Sequence, residues 1–125
     1  MKIIFTLLII SICSLTYSQN KLDSKGLKQG RWTKPYKNTA MIHYSGQFND
    51  DTPYGDFIYY YKSGNMQSKM RFSDNGITAY SLMYHESSGY MMARGKYSNQ
   101  QKDSLWVYYD NQGQLKSQES YKDGK

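Results

Sequence analysis

Beyond residue 30, apolar and polar positions alternate with a period of two along most of the chain. The clearest stretch is DFIYYYKSGNMQSKMRFSDNG, Asp56 to Gly76. Alternation puts Phe57, Tyr59 and Tyr61 on one face of a strand and Ile58 and Tyr60 on the other. The aromatic and β-branched content suits a pleated surface. Ser63-Gly64-Asn65 then supplies a turn, because Gly adopts the positive φ that hairpin turns need. Met66, Ser68, Met70 and Phe72 follow on one face, with Gln67, Lys69 and Arg71 opposite, as in a strand with an apolar inner side and a charged outer side. Asp74-Asn75-Gly76 is a second turn signal. The stretch predicts one β-hairpin.

The pattern recurs. Leu105 to Gly124, LWVYYDNQGQLKSQESYKDG, lies on the first hairpin at an offset of 49 residues. Trp106, Tyr108, Gly113, Leu115 and Tyr121 then match Phe57, Tyr59, Gly64, Met66 and Phe72. An intermediate copy at an offset of 25 matches Leu82 and Tyr84 to Phe57 and Tyr59, and Gly89, Met91 and Tyr97 to Gly64, Met66 and Phe72. A worn copy comes first, with Trp32, Ile42 and Phe48 in the corresponding places. Self-similarity at 24 to 25 residues marks a repeat architecture. One hairpin cannot bury its own apolar face, so neighbours must add to it. An ordinary meander with accidental likeness is the competing reading, and the Gly-to-aromatic spacing kept in three copies argues against it. The expected fold is all-β, an open antiparallel stack of about four hairpin units over residues 30–125.

The pattern W/F-x-Y-Y, x-G-x-L/M, Y/F, G resembles the MORN-variant repeat, found in bacterial proteins similar to YwqK-like antitoxins of toxin–antitoxin systems. The likeness covers Gly30 to Gly124. It implies a stack of β-hairpins and, at the level of the family name, neutralisation of a partner protein. The first copy departs from the pattern: Pro35 interrupts its first strand and Ala40 stands where the turn glycine belongs. The third copy has Tyr84-His85 in place of the double aromatic.

Residues 1–18 read MKIIFTLLIISICSLTYS, with basic Lys2, an apolar run from Ile3 to Ile12 and small residues near Ser18. This predicts a helical signal peptide cleaved after Ser18 and export to the periplasm, cell envelope or medium. The run is short for a membrane span. Cys13 offers a rival reading as a lipid-modified terminus, disfavoured because Ile12 stands where lipoprotein signals carry a small residue. Cys13 is the one cysteine, so the mature chain is expected to lack disulfides and thiol chemistry. Residues 19–29 are polar and without periodicity, and read as a flexible linker.

The formal net charge is +6, with Lys and Arg spread along the chain. A basic face discourages strand-to-strand aggregation and also suits anionic lipid or polysaccharide. Export makes nucleic acid the least suitable of the anionic partners. His43 and His85 alternate out of phase with their apolar neighbours and are expected to point outward, so no zinc set converges. Asp50 and Asp51 read as a turn, with too few oxygens for calcium. No nucleophile motif or phosphate loop is present, so neither an enzyme nor a cofactor is expected. What remains is aromatic surface. Ile58, Tyr60, Val107 and Tyr109 form a candidate interaction stripe on the face opposite the core. The Leu115–Tyr121 strand is a candidate open edge. The expected function is non-catalytic binding of a protein partner through a Tyr-rich face or edge. The alternatives are attachment to anionic lipid or polysaccharide and antitoxin-like neutralisation.

Overall fold

A computed structural model describes residues 19–73 and 75–125. The expected signal peptide and Cys13 lie outside the described residues, as does Asp74 of the second turn. The described residues form one antiparallel sheet of nine strands in sequence order, with no helix among them. The strands are β1 (Lys21–Leu22), β2 (Lys28–Pro35), β3 (Ile42–Asn49), β4 (Thr52–Tyr60), β5 (Met66–Phe72), β6 (Thr78–Tyr84), β7 (Met91–Ser98), β8 (Gln101–Tyr109) and β9 (Leu115–Tyr121). Strands in close contact are all neighbours in sequence, and β1 does not meet β9, so the sheet is open.

Residues 19–29, expected to be a linker, carry a small hairpin. Leu22 pairs with Lys28 and Lys21 with Gln29. Asp23 closes the turn by accepting from the backbone N–H groups of Lys25 and Leu27 and from Gln29 Nε2. These bonds, chiefly the one from Leu27, hold the Asp23 carboxyl below its ordinary value.

Two of the connections are tight. Asn49-Asp50-Asp51-Thr52 and Ser98-Asn99-Gln100-Gln101 are two-residue hairpin turns with both central residues at positive φ, the backbone that matches strand twist. The other end holds longer loops, in which Gly64, Gly89 and Gly113 take positive φ. In the first copy the left-handed residue is Asn38, which tolerates it. Pro35 is the last residue of β2, paired with Ile42, so it ends the strand and does not break it.

One bond type recurs at the loop end. The residue after each strand reaches the strand-end carbonyl of the next unit: Tyr36 Oη donates to Tyr60 O at 2.6 Å, Tyr61 Oη to Tyr84 O at 2.7 Å, and His85 Nε2 lies 3.1 Å from Tyr109 O. Sequence separations of 24, 23 and 24 show it to be a bond of the repeat itself. Tyr61→Phe is expected to lower stability by about 1 kcal/mol, because a half-buried carbonyl loses its donor. Urea midpoints at unchanged slope would show it. A midpoint equal to wild type would mean that water replaces the hydroxyl without loss.

The register corrects one feature of the repeat alignment. Tyr60 pairs with Met66 and Tyr84 with Met91, so the loop after β6 holds one residue more than the loop after β4. Anchoring the alignment on glycine therefore slides β6 by one. The sheet row through Phe57 runs Met70, Ser81, Gly95, so Ser81 stands in the place of Phe57, not Leu82. Met83 stands in the place of Tyr59, not Tyr84. A one-residue slip moves a side chain to the other face.

Candidate binding groove

One face of the sheet is aromatic. Phe57 is buried and meets Phe48 and Phe72 edge-on at 5.3 and 5.0 Å, with Tyr44 at 6.0 Å. Trp32 meets Phe48 at 6.2 Å. Near the other end Trp106 is 0 % exposed, packs edge-on to Tyr97 at 4.9 Å and donates from Nε1 to Lys96 O. Tyr108 and Tyr121 extend this second cluster, with their hydroxyls 2.9 Å apart and Tyr121 donating to Glu119. That carboxylate, and then the Tyr108 hydroxyl, push the Tyr121 phenol upward. A lysine caps each cluster. Lys28 Nζ lies over Trp32 and Phe48, and Lys102 Nζ over Trp106, Tyr108 and Tyr121 at 5.0 to 5.1 Å.

The residues expected to define the repeat take three kinds of position. Phe57, Tyr59, Phe72, Tyr97, Trp106, Tyr108 and Tyr121 form the aromatic face. Gly64, Gly89 and Gly113 form the turns. Met66 and Leu115 are exposed at strand starts, and Tyr84 ends β6.

Between the two clusters the side chains are thin. On β6, Ser81 and Met83 stand where β4 carries Phe57 and Tyr59 and β8 carries Trp106 and Tyr108, and they are flanked by Ser68 and Met70 on β5 and by Ala93 and Gly95 on β7. The difference in height leaves a groove of about 560 Å³. Its walls include Phe57, Phe72, Tyr59 and Tyr97, and Ser68 and Ser81 lie in its floor. Burial pushes the Tyr59 and Tyr97 phenols upward, so both remain neutral hydroxyls near neutral pH. An apolar trough with a few hydroxyl groups suits a flat or branched apolar group carrying a hydrogen-bonding edge.

The opposite face is charged. One row across it reads Asp56, Arg71, Tyr80, Lys96, Asp103. Arg71 holds Asp56 through two bonds of 2.8 and 3.0 Å, and Lys96 meets Asp103 at 2.9 Å. Each pair holds its carboxyl below the ordinary value, chiefly by hydrogen bonding. Tyr80 lies between the two cations and is 69 % exposed. The next row reads Ile58, Lys69, Leu82, Arg94, Val107. Ile58 and Val107 are thus four strands apart, roughly 19 Å, with two cations between them. Val107 is buried and Ile58 half-buried. Tyr60 and Tyr109 are half-buried at strand ends, where their carbonyls take the bonds between units, and Tyr109 Oη accepts from Arg94 Nε. The four residues do not make one apolar patch.

The histidines are not free surface groups. His43 stacks on Tyr36 at 4.4 Å and lies 6.0 Å from Tyr59, because the irregular pairing at Lys34 and Pro35 breaks the alternation that pointed it outward. His85 is half-buried in the bond between units. Asp50 and Asp51 form the expected turn and accept from Gln29 Nε2 and the Lys28 backbone N–H. Among the described residues no group of three or more His, Cys, Asp or Glu could hold a metal, and no helix is long and apolar enough to cross a membrane.

Fold and site together define an open hairpin-repeat sheet with an aromatic trough on one face. Compared with family models, curated proteins and solved structures, the chain matches none.

Proposed function

We propose that the protein is an exported, non-catalytic binding module of MORN-variant hairpin repeats, and that its groove receives an apolar side chain of a protein partner. The observation that carries this reading is the groove between Phe57 and Tyr97, where β6 carries Ser81 and Met83 in place of rings. An apolar trough left open on an aromatic face is a place where partner surface is buried. The family resemblance adds neutralisation of a partner as one form that such binding takes.

Selection from a displayed random-peptide library tests the reading. Enriched peptides should share an aromatic or branched apolar anchor. They should lose at least about tenfold in affinity for Ser81→Phe, whose ring enters the groove beside Met70. Far-ultraviolet circular dichroism of the variant should match wild type. No enrichment, or equal binding to a folded Ser81→Phe, would sink the proposal.

The charged face favours a second reading, attachment to anionic lipid or polysaccharide. Exposed Tyr80 is ringed by Lys69, Arg71, Arg94 and Lys96 on the flanking strands. Co-sedimentation with anionic but not neutral vesicles, lost at high salt, is the behaviour it requires. Equal behaviour with both vesicle types counts against the lipid form.

A further inference from the structure

The two ends of the sheet are finished differently. At the first end Asn20 plugs the outer edge of β2: its backbone N–H donates to Arg31 O, its Nδ2 to Thr33 O, and its Oδ1 accepts from Thr33 N–H. β1 covers the next part of that edge through Leu22 and Lys21. At the other end β9 pairs with β8 alone among the described residues. Its seven residues, LKSQESY, contain no proline; its two charges, Lys116 and Glu119, would oppose pairing with a strand that set like charges against them.

We infer that the outer edge of β9 pairs with β9 of a second copy of this chain, antiparallel, about a two-fold axis at Gln118. Gln118 is the midpoint of the strand, so this register overlaps its full length. It sets Ser117 opposite Glu119, Lys116 opposite Ser120, and Leu115 opposite Tyr121, with no like charges facing. Residues opposite each other in a sheet share a face, so the two-fold moves only in whole residues. Placed at Glu119, it opposes Glu119 with Glu119 and Lys116 with Lys122. Placed at Ser117, it overlaps only Leu115 to Glu119 and sets Leu115 against Glu119. The plugged edge at β2 prevents head-to-tail growth, so association closes at a dimer. The aromatic faces of both copies then lie on one side of a continuous sheet, with the Trp106–Tyr108–Tyr121 clusters flanking the seam. This inference does not depend on the groove.

Sedimentation equilibrium of the purified protein is expected to show a monomer–dimer equilibrium. Ser117→Lys should tighten it and Ser117→Glu weaken it, each by about tenfold, because every substitution is met twice across the axis. In a Cys13→Ser background, Gln118→Cys should form a disulfide-linked dimer under mild oxidation and Ser120→Cys should not. Residues on the axis lie within bridging distance of their own copies, whereas residues two positions away do not. A wild-type monomer at all concentrations together with no Gln118→Cys bridge overturns the inference. So does a dimer whose affinity ignores both Ser117 substitutions, which would place the contact elsewhere. A third overturning result is a β9 edge that pairs only with a strand of a different protein.

Discussion

Trp106→Ala is expected to remove about 4 kcal/mol of unfolding free energy and to lower the melting temperature by roughly 20 °C. Among the described residues Trp106 is the one fully buried large side chain, at 0 % exposure. Its indole closes the second aromatic cluster, covers Gly95 and lies beneath Lys102 Nζ at 5.0 Å. Truncation removes ring burial and the edge contact with Tyr97, and takes the donor from Lys96 O. An open sheet has no second layer to collapse into the space, so relaxation recovers little. Chemical unfolding followed by circular dichroism measures the loss, since Trp32 dominates the remaining indole signal. A loss under about 1 kcal/mol would show that the cluster does not pack as a unit.

Gly46→Ala is expected to cost about 3 kcal/mol, an unusual penalty for adding one methyl group. Gly46 is buried and its φ is ordinary, so the cost is steric. A Cβ there would lie 2.3 Å from the Phe57 ring carbons Cδ1 and Cε1. That ring is held by Phe48, Phe72 and Tyr44 and cannot step aside. Gly95 stands in the same relation to Trp106, so close approach of ring to backbone is part of the repeat. The sharper measurement is a double-mutant cycle. Gly46→Ala with Phe57→Ala should cost clearly less than the two changes summed, because the methyl enters space that the ring leaves. Strict additivity would mean that Gly46 is needed for its backbone freedom and not for the room it gives the ring.

These positions show how far pattern reading reaches. Phe57, Tyr59, Trp106 and Tyr108 read as one face from alternation, and they lie on one face, because a strand's period of two is a local property of extended backbone. Gly64, Gly89 and Gly113 read as turns and take positive φ, since a residue without a Cβ adopts that conformation at little cost. Gly46 and Gly95 gave no such signal. Their role is to accept a ring from the next strand, and that depends on register between strands.

The groove was illegible for the same reason. Leu82 aligned with Phe57 as long as the turn glycine was the anchor. One added residue in the loop after β6 moves Leu82 to the charged face and brings Ser81 to the aromatic one. His43 moved in the opposite sense, from an expected outward position onto Tyr36, through irregular pairing that no single strand reveals. Apart from the short β1, strand identity, turn chemistry and the all-β hairpin architecture were therefore determined by the sequence alone, because each rests on interactions within a few residues. Which rings meet, where the row of rings breaks and which sheet edge stays bare were decided only by the tertiary structure. Those depend on bulges and loop lengths that set one strand against the next, and a shift of one residue exchanges the two faces.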